Sequence, residues 1–204
     1  MSTKPEKQEL KLCQSEDLSG CTVSAQRVKA LAGNPAGISK VDVANPYYKG
    51  KVVYQHGKLT ITLTYVLTGN IARADAAIKN IKAMYAKANI VVNLAPNSSK
   101  FDIRIHGANL SELAQGVGLC DCKSALYIGG WAPHPQHVKW GNALLVNPHS
   151  PLRTWKMSDA HEFGHKLGLK HRDDNGLMDY PEPGKPDRRK FTPADRQRII
   201  DLYK

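Results

Sequence analysis

Three of the eight histidines in this 204-residue chain lie within fourteen consecutive residues, DAHEFGHKLGLKHR (159–172). On a helix, side chains four residues apart lie on one face, so His161 and His165 would be separated by about 6 Å along the axis. Both imidazoles can then bind one zinc ion at about 2.0–2.1 Å. Glu162 is rotated from His161 by about 100°, which places its carboxylate beside the ion. The spacing therefore predicts a helix that carries two metal ligands and a general base.

A catalytic zinc site usually has three protein ligands and one water, and His171 is the third candidate ligand. If the helix continued, His171 would be carried about 9 Å away from the ion. Gly168 lies between the second and third histidines, and glycine can adopt the left-handed conformation that ends a helix and turns the chain. We therefore predict that the backbone reverses at Gly168 and brings His171 back to the metal.

The composition is that of an ordinary soluble globular protein, with 41% hydrophobic and 23% charged residues. No apolar run approaches the roughly 18 residues of a membrane span. The polar N-terminus, MSTKPEKQELKL, lacks the apolar segment of a cleaved signal peptide. The expected state is a monomer that is secreted or exported without such a signal, with a cytoplasmic location as the alternative.

The net charge of +11 favours encounter with anionic partners. The most basic patch, KPDRRK (185–190), is short and contains an acidic residue, and it lacks the interleaved aromatic residues of nucleic-acid-binding motifs. We interpret the charge as a solvated basic surface and do not expect a nucleic-acid partner.

The four cysteines form two pairs that are far apart in the sequence, Cys13 with Cys21 and Cys120 with Cys122. Four cysteines allow three disulfide connectivities. A direct bridge between residues i and i+2 would be strained, so links from Cys120 and Cys122 to the N-terminal pair are favoured, in an oxidising environment. Free thiols and a four-cysteine zinc site, for which these spacings are unusual, are the alternatives.

Two regions differ in composition. Residues 1–50 are rich in Lys, Ser, Gly, Asn and Pro and are predicted to form an N-terminal extension, regulatory or stapled by disulfides to the rest of the chain. Residues 51–204 are predicted to form the main domain, because regular apolar periodicity begins there.

The periodicity predicts an α+β fold in this domain. Asn70 is expected to cap a backing helix over 70–88, a second helix runs from about Lys156 to Leu167, and Thr192 and Pro193 begin a C-terminal helix that ends at Tyr203. Strands are predicted at 58–68, 90–95, 101–107, 124–130 and 142–147. This order predicts a mixed, twisted sheet of about five strands with helices packed on it.

The stretch HEFGHKLGLKH (161–171) matches H-E-x-x-H-x-x-G-x-x-H at every fixed position and resembles the metzincin family of zinc metallopeptidases. NGLMDY (175–180) falls where that family has a methionine-containing turn beneath the metal, and Met178 would be its methionine. Tyr180 has the spacing of a tyrosine that approaches the zinc in astacin-like and serralysin-like members. The similarity covers about residues 55–204.

The resemblance implies a zincin fold that holds Zn²⁺ through His161, His165 and His171, and a zinc endopeptidase that cleaves protein or peptide substrates. In such an enzyme the ion polarises the scissile carbonyl and acidifies a bound water, while Glu162 takes the proton and passes it to the leaving amine. Tyr180 would be a fifth ligand or a donor to the oxyanion.

Substrates of metzincins typically add in extended form to an edge strand of the sheet, for which 124–130 and 142–147 are the two candidates. Some members are held inactive by a pro-segment that binds the zinc. Cys13 or Cys21 could serve in this way, with a disulfide or an inert thiol as the alternatives.

Two rival functions stay open at this point: a zinc-containing basic binding module without catalysis, and a hydrolase of cell-wall peptides. A small basic peptidase without a signal peptide would suit a bacterial toxin or secreted effector. A cognate inhibitor or immunity protein would then be a partner.

Overall fold

A computed structural model of the protein describes residues 41–117, 128–133, 140–147, 155–179 and 188–204. All four cysteines and Tyr180 lie outside these ranges, so the disulfides and the role of Tyr180 stay predictions. Every helix in the described ranges is too short or too polar to cross a lipid bilayer.

The described strands form a six-stranded mixed sheet built around the long strand β2 (Lys58–Gly69). One side of β2 pairs with β3 (Ile90–Pro96, parallel), and the other side pairs with β1 (Val52–Gln55, antiparallel) and then with β4 (Ile103–Gly107, parallel). Next to β4 lies β6 (Ala143–Val146, parallel), and β6 pairs on its other side with the short antiparallel strand β5 (Gly130–Trp131), the last described strand in this direction.

Two of the helices begin at strong caps. The Asn70 side chain accepts a hydrogen bond from the Arg73 amide at the start of α1 (Ile71–Lys87). Thr192 forms a capping box with Asp195 at the start of α4 (Pro193–Tyr203). The remaining described helices are α2 (Leu110–Val117), α3 (Trp155–Leu167) and one 3-10 turn (Pro46–Tyr48).

The sheet has a hydrophobic core on each face. The larger core joins β2, β3 and β4 to α1, α3 and α4, and the smaller core joins α2 and Trp140 to the opposite face. β6 contributes Leu144 and Val146 to the larger core and Ala143 and Leu145 to the smaller one. A strand that is buried on both faces is a continuous apolar run, which explains the sequence ALLV.

The α+β class and the mixed sheet are confirmed, and the predicted helices and the strands at 58–68, 90–95 and 101–107 begin and end within two residues of the observed ones. The interpretation of 142–147 as an edge strand is wrong, because β6 lies between β4 and β5. Of the strand predicted at 124–130, residues 124–127 lie outside the described ranges and Gly130 belongs to β5.

The strand β1 and the helix α2 were not predicted, and β1 accounts for the sixth strand where about five were expected. β1 pairs with β2 across a two-residue turn in which His56 and Gly57 both have positive φ, 51° and 77°. The sequence HG is not one of the usual signals for such a turn. The other element is α2, whose apolar side covers the far face of the sheet.

Residues 41–50, which the sequence assigned to the extension, contact the main domain. Tyr48 is only 1% exposed and belongs to the larger core. The Asn45 amide donates to the Tyr203 hydroxyl of α4 at 3.1 Å. The boundary at residue 50 stays a prediction, since residues 1–40 lie outside the described ranges.

Candidate metal site

The helix that carries the HExxH residues ends at a glycine in an unusual backbone conformation. Gly168 follows α3 directly and has a φ of 102°, in the left-handed region that favours glycine. Its amide donates to the His165 carbonyl, and the Leu169 amide donates to the Gly164 carbonyl, both at 3.0 Å. These two bonds are those of a Schellman motif. A Cβ at Gly168 would also lie 1.9 Å from the Val43 carbonyl oxygen, so conformation and space both require glycine.

The turn at Gly168 brings three imidazoles together. Their Nε2 atoms are separated by 3.1 Å (His161 to His165), 3.1 Å (His161 to His171) and 2.9 Å (His165 to His171). His161 is buried, and His165 and His171 are partly exposed. In the described ranges these three side chains form a group that could hold a metal ion.

The hydrogen bonds of the other ring nitrogens set the tautomers of two of these histidines. His161 Nδ1 donates to the Leu177 carbonyl and His165 Nδ1 donates to the Leu169 carbonyl, each at 2.8 Å, since a carbonyl oxygen can only accept. In the neutral rings, both Nε2 atoms therefore carry lone pairs. Two acceptors 3.1 Å apart cannot hydrogen-bond to each other.

A cation resolves this arrangement. Ligand nitrogens at about 2.0–2.1 Å from a tetrahedral zinc ion are about 3.3 Å apart, close to the separations found here. Binding of the second nitrogen to a backbone carbonyl is the usual way in which a protein orients a metal-binding histidine. The donor set and its orientation therefore fit a metal ion with imidazole ligands.

The imidazoles are also held in the neutral form that binds metals. Burial keeps the pKa of His161 well below its ordinary value, and the neighbouring His165 and Arg189 lower it further. Burial likewise lowers the pKa of His165 to about 4 and that of His171 to about 3. Protons therefore compete weakly with a metal for these nitrogens at neutral pH.

Glu162 lies on the side of α3 that faces the edge strand. A Cβ at Gly130 of β5 would lie 2.9 Å from Glu162 Cγ, so the strand approaches the glutamate closely only because residue 130 is glycine. Burial raises the pKa of Glu162 to about 7, against the lowering effect of the Arg189 guanidinium and a hydrogen bond from the Ala132 backbone. A carboxyl group with this pKa can both accept and release a proton near neutral pH.

A buried ion pair anchors the first part of α3 to α1. The Asp159 carboxylate is fully buried and accepts hydrogen bonds from both terminal nitrogens of Arg73 and from the Asn80 amide. Arg73 Nε also donates to the Asn147 carbonyl at 3.1 Å, and Asn147 Nδ2 donates to the Ile128 carbonyl at 2.7 Å. This network connects the helix of the histidines to the segment that leads into β5.

The carbonyls at the C-terminal end of α3 accept hydrogen bonds from residues before β1 and from α4. Asn45 Nδ2 donates to the Lys166 carbonyl at 2.9 Å, and the Tyr203 hydroxyl donates to the Leu167 carbonyl at 2.9 Å. The Val43 amide donates to the Gly168 carbonyl at 3.1 Å. The last carbonyls of a helix have no partner within it, so these contacts stabilise the end at which the turn to His171 begins.

Asp42 holds the residue before His171. Its carboxylate accepts a hydrogen bond from the Lys170 amide at 2.8 Å and two from Arg198 at 2.7 Å. Arg198 in turn donates to the Lys170 carbonyl at 2.8 Å. Both backbone polar groups of Lys170 are therefore fixed by the same ion pair.

Met178 lies directly under the helix of the histidines. It is fully buried, and its Sδ would lie 2.6 Å from a Cβ at Gly164. The Met178 carbonyl accepts a hydrogen bond from the Arg172 amide at 3.1 Å, and the preceding Leu177 holds His161 as described above. Tyr180 lies outside the described ranges.

Sequence reasoning missed four charged residues around the site: Asp42, Asp159, Lys166 and Arg189. Asp159 could have been found, because it shares a helical face with the core residue Phe163 four positions later. Lys166 carries no such signal, because a lysine four positions after a glutamate is typical of a solvated helix face. Asp42 and Arg189 lie in irregular segments, where no periodicity indicates burial.

No protein-family model matches the sequence, and no curated protein matches it. Among solved structures, two of myroilysin are similar to this chain. The first has a TM-score of 0.44 and 15% identity over 81% of this chain and 96% of that chain. The second has a TM-score of 0.40 and 14% identity over 81% of this chain and 95% of that chain. Values this low do not establish a shared fold or activity.

Proposed function

We propose that this protein is a metzincin-type zinc endopeptidase that hydrolyses peptide bonds in proteins or peptides. The observation that carries the proposal is the pair of Nε2 lone pairs of His161 and His165, which face each other at 3.1 Å with His171 beside them. A cation with nitrogen ligands satisfies this arrangement. The HExxHxxGxxH pattern and the glutamate on the adjoining face of the helix make zinc hydrolysis the chemistry that fits best.

In this proposal His161, His165 and His171 hold the zinc ion. The bound ion would supply a Lewis acid that polarises a carbonyl and acidifies water. Met178 is proposed as the methionine of the turn under the site, on the basis of its burial against Gly164. Tyr180 is proposed as a donor to the oxyanion or as a further ligand, on its sequence spacing alone.

Glu162 is proposed as the general base. Its carboxylate takes a proton from the attacking water and delivers it to the leaving amine. Burial raises the pKa of this group, which helps it to hold a proton taken from water until the leaving amine accepts it. Arg189 opposes the effect of burial and so favours the ionised form that the first step needs.

The substrate is proposed to add to β5, which is the last strand of the sheet among those in the described ranges. An extended peptide that pairs with an edge strand is bound mainly through its main chain. Because Gly130 of β5 lies against Glu162 Cγ, a peptide on this edge would pass next to the proposed base. The proposal therefore predicts selection of extended chain more than of particular side chains.

The test is a comparison of the wild type with Glu162→Gln. We expect the variant to bind one zinc ion per chain as the wild type does and to lose at least about 10²-fold in kcat on an unstructured protein substrate, since a general base contributes about this much. Asp75→Asn, which changes an exposed carboxylate on α1, is the matched control and should keep full activity.

The substrate class is tested with mass spectrometry of a proteome-derived peptide library and of isolated cell-wall peptides, with and without a chelator. Chelator-sensitive cleavage of internal bonds in the library supports an endopeptidase. Cleavage of cell-wall peptides alone would replace it with a cell-wall hydrolase. Zinc binding without turnover of any of these substrates would favour a binding module and reject the proposal.

A further inference from the structure

Lys166 is a buried lysine on the helix of the metal site. Its side chain is 3% exposed. It follows Glu162 by four residues, as His165 follows His161, so the glutamate and the lysine lie on one face of α3 and the two histidines on another. The face that bears Glu162 is the one that meets β5, and Lys166 extends that contact by one helical turn.

The ammonium group of Lys166 binds two backbone carbonyls. Nζ donates to the Pro133 carbonyl at 2.6 Å and to the Gly141 carbonyl at 3.0 Å. Pro133 comes two residues after β5, and Gly141 comes two residues before β6. Lys166 therefore binds both the segment that follows β5 and the segment that precedes β6.

An apolar side chain would fill this position at lower cost. Removing an ammonium group from water is unfavourable unless charged or polar groups replace the solvent. Within the described ranges Lys166 forms no ion pair, and burial lowers its pKa to about 7, opposed only in part by the negative charge of Glu162. The ammonium group donates hydrogen bonds to the carbonyls of Pro133 and Gly141, and a methionine at this position could not.

Glu162 and Lys166 hold consecutive residues of the same segment. The Ala132 backbone is hydrogen-bonded to Glu162, and the next residue, Pro133, is hydrogen-bonded to Lys166. Gly130 lies against Glu162 Cγ. Residues 130–133 thus have contacts with α3 at both ends, and Lys166 supplies the contact at Pro133.

We propose that Lys166 is a positioning residue for substrate binding, which holds the edge strand β5 in the place where a peptide can pair with it beside Glu162. This proposal rests on the proposed function and deepens it. A strand that is already ordered costs less to bind to than one that must be ordered on binding. Lys166 therefore acts on the affinity for the peptide more than on the chemical step.

The test uses Lys166→Met, which keeps an unbranched side chain one atom shorter and removes the donors, in the full-length, zinc-loaded protein. The matched control is Lys156→Met, an exposed lysine on the same helix. We expect KM for an extended peptide to rise at least about tenfold in Lys166→Met. A factor of this size corresponds to the loss of one hydrogen bond from a charged group that keeps the strand in place. Since the Lys166 charge lowers the pKa of Glu162, kcat is compared on the alkaline plateau, where Glu162 is ionised in both proteins. There we expect kcat and zinc affinity to stay within about twofold of the wild type, and the control to match the wild type.

A second readout does not depend on activity. Hydrogen exchange at the amides of residues 130–132 should become faster in Lys166→Met, and by a larger factor than at amides in the rest of the sheet. A purely structural lysine would give a different pattern, with faster exchange throughout the sheet and joint losses in kcat and zinc affinity.

Unchanged exchange at residues 130–132 would overturn the proposal, and so would an unchanged KM in an active enzyme. If the wild type cleaves no peptide but Lys166→Met still speeds exchange at these amides, the proposed function fails while the anchoring role of Lys166 is supported. The two failures are therefore distinguishable.

Discussion

At the scale of single residues, the metal site depends on which ring nitrogen of each histidine is protonated. The carbonyls of Leu177 and Leu169 accept hydrogen bonds from Nδ1 of His161 and His165, which leaves each Nε2 with a lone pair. Burial then holds these rings neutral far below the pH at which an exposed histidine becomes charged. Backbone carbonyls and burial thus act together to prepare nitrogen ligands before any ion arrives.

This preparation predicts an acid-resistant metal site. A depressed pKa means that a ligand stays unprotonated as the pH falls, until the pH approaches that lower pKa. With pKa values of about 4 and 3 for His165 and His171, we expect zinc affinity to change little between pH 7 and about 5 and to fall steeply below. Competition with a chelator of known protonation constants measures this dependence.

The measurement is made on Glu162→Gln, because the Glu162 carboxyl titrates near pH 7 and would add its own pH dependence. The control is a synthetic peptide of residues 159–172, whose unfolded histidines have an ordinary pKa of about 6.5. Its zinc affinity should already decline below pH 7. A protein that loses zinc affinity in parallel with this peptide would contradict the account.

At the scale of elements, the turn after α3 is supported from outside the helix. Residues 42–45 bind the carbonyls of Lys166 and Gly168, and Asp42 with Arg198 fixes Lys170. These contacts join the segment before β1, the turn that carries His171 and helix α4. The third ligand is therefore placed by Asp42, 128 residues before Lys170, and by Arg198, 28 residues after it, in addition to the glycine that reverses the chain.

This arrangement predicts that Asp42→Ala weakens metal binding without touching a ligand. We expect zinc affinity to fall by about 10–100-fold, the usual effect of removing a group that orients a ligand. Asp75→Ala removes an exposed carboxylate on α1 and should leave zinc affinity unchanged. Isothermal titration with zinc compares the variants, and equal affinities for Asp42→Ala and the wild type would remove Asp42 from the site.

The same contacts decide how the latency hypothesis for the N-terminal extension must be tested. A deletion of residues 1–50 would also remove Asp42 and Asn45, so any gain from releasing the site would be masked by the loss of its support. A deletion that stops at residue 40 leaves these contacts in place. Higher activity after that deletion would support latency, and unchanged activity would reject it.

At the scale of the whole molecule, carboxylates tie distant parts of the chain together. Asp42 binds Arg198 of α4, and Asp102 accepts hydrogen bonds from Lys51 and from the Thr64 amide of β2. Burial alone would raise the pKa of each carboxyl, but these hydrogen bonds and cations outweigh it and hold both pKa values below the ordinary 3.8. Folding therefore favours their ionised form.

This linkage predicts the direction of acid unfolding. A carboxyl whose pKa is lower in the folded state stabilises the fold above about pH 4, and this stabilisation is lost as the pH falls through the folded pKa. We expect Asp42→Asn with Asp102→Asn to reduce the free energy of unfolding by at least about 1 kcal/mol at pH 7. The loss of stability between pH 5 and pH 2.5 should then be smaller than in the wild type, as denaturant titrations will show. An equal loss would contradict the assignment.

The fold could be predicted from the sequence where the signals are local. Asn70, Thr192 and Pro193 begin helices because of their own side chains, and the alternation in 58–68 is enough to identify β2. The spacing of the three histidines with Gly168 predicted a cluster that the structure also contains. In each case the information lies within one turn of helix or one strand.

The rest depends on partners that are distant in the sequence. Nothing around Asp42 indicates that it binds Lys170 and Arg198, which lie 128 and 156 residues away. The sequence of residues 142–147 is compatible with an edge strand, and only the strand order of the sheet shows that β6 lies between β4 and β5. A buried lysine such as Lys166 looks like a surface residue in a composition with many lysines, because only the tertiary structure shows the carbonyls that it binds.

The central claim is that one zinc ion is bound by three imidazoles, and zinc X-ray absorption of the loaded protein tests it most directly. We predict three histidine nitrogens at about 2.0–2.1 Å in the wild type and two in His171→Ala. A first shell of sulfur at about 2.3 Å would place the ion on the cysteines instead. That result, or a spectrum that His171→Ala leaves unchanged, would contradict the account.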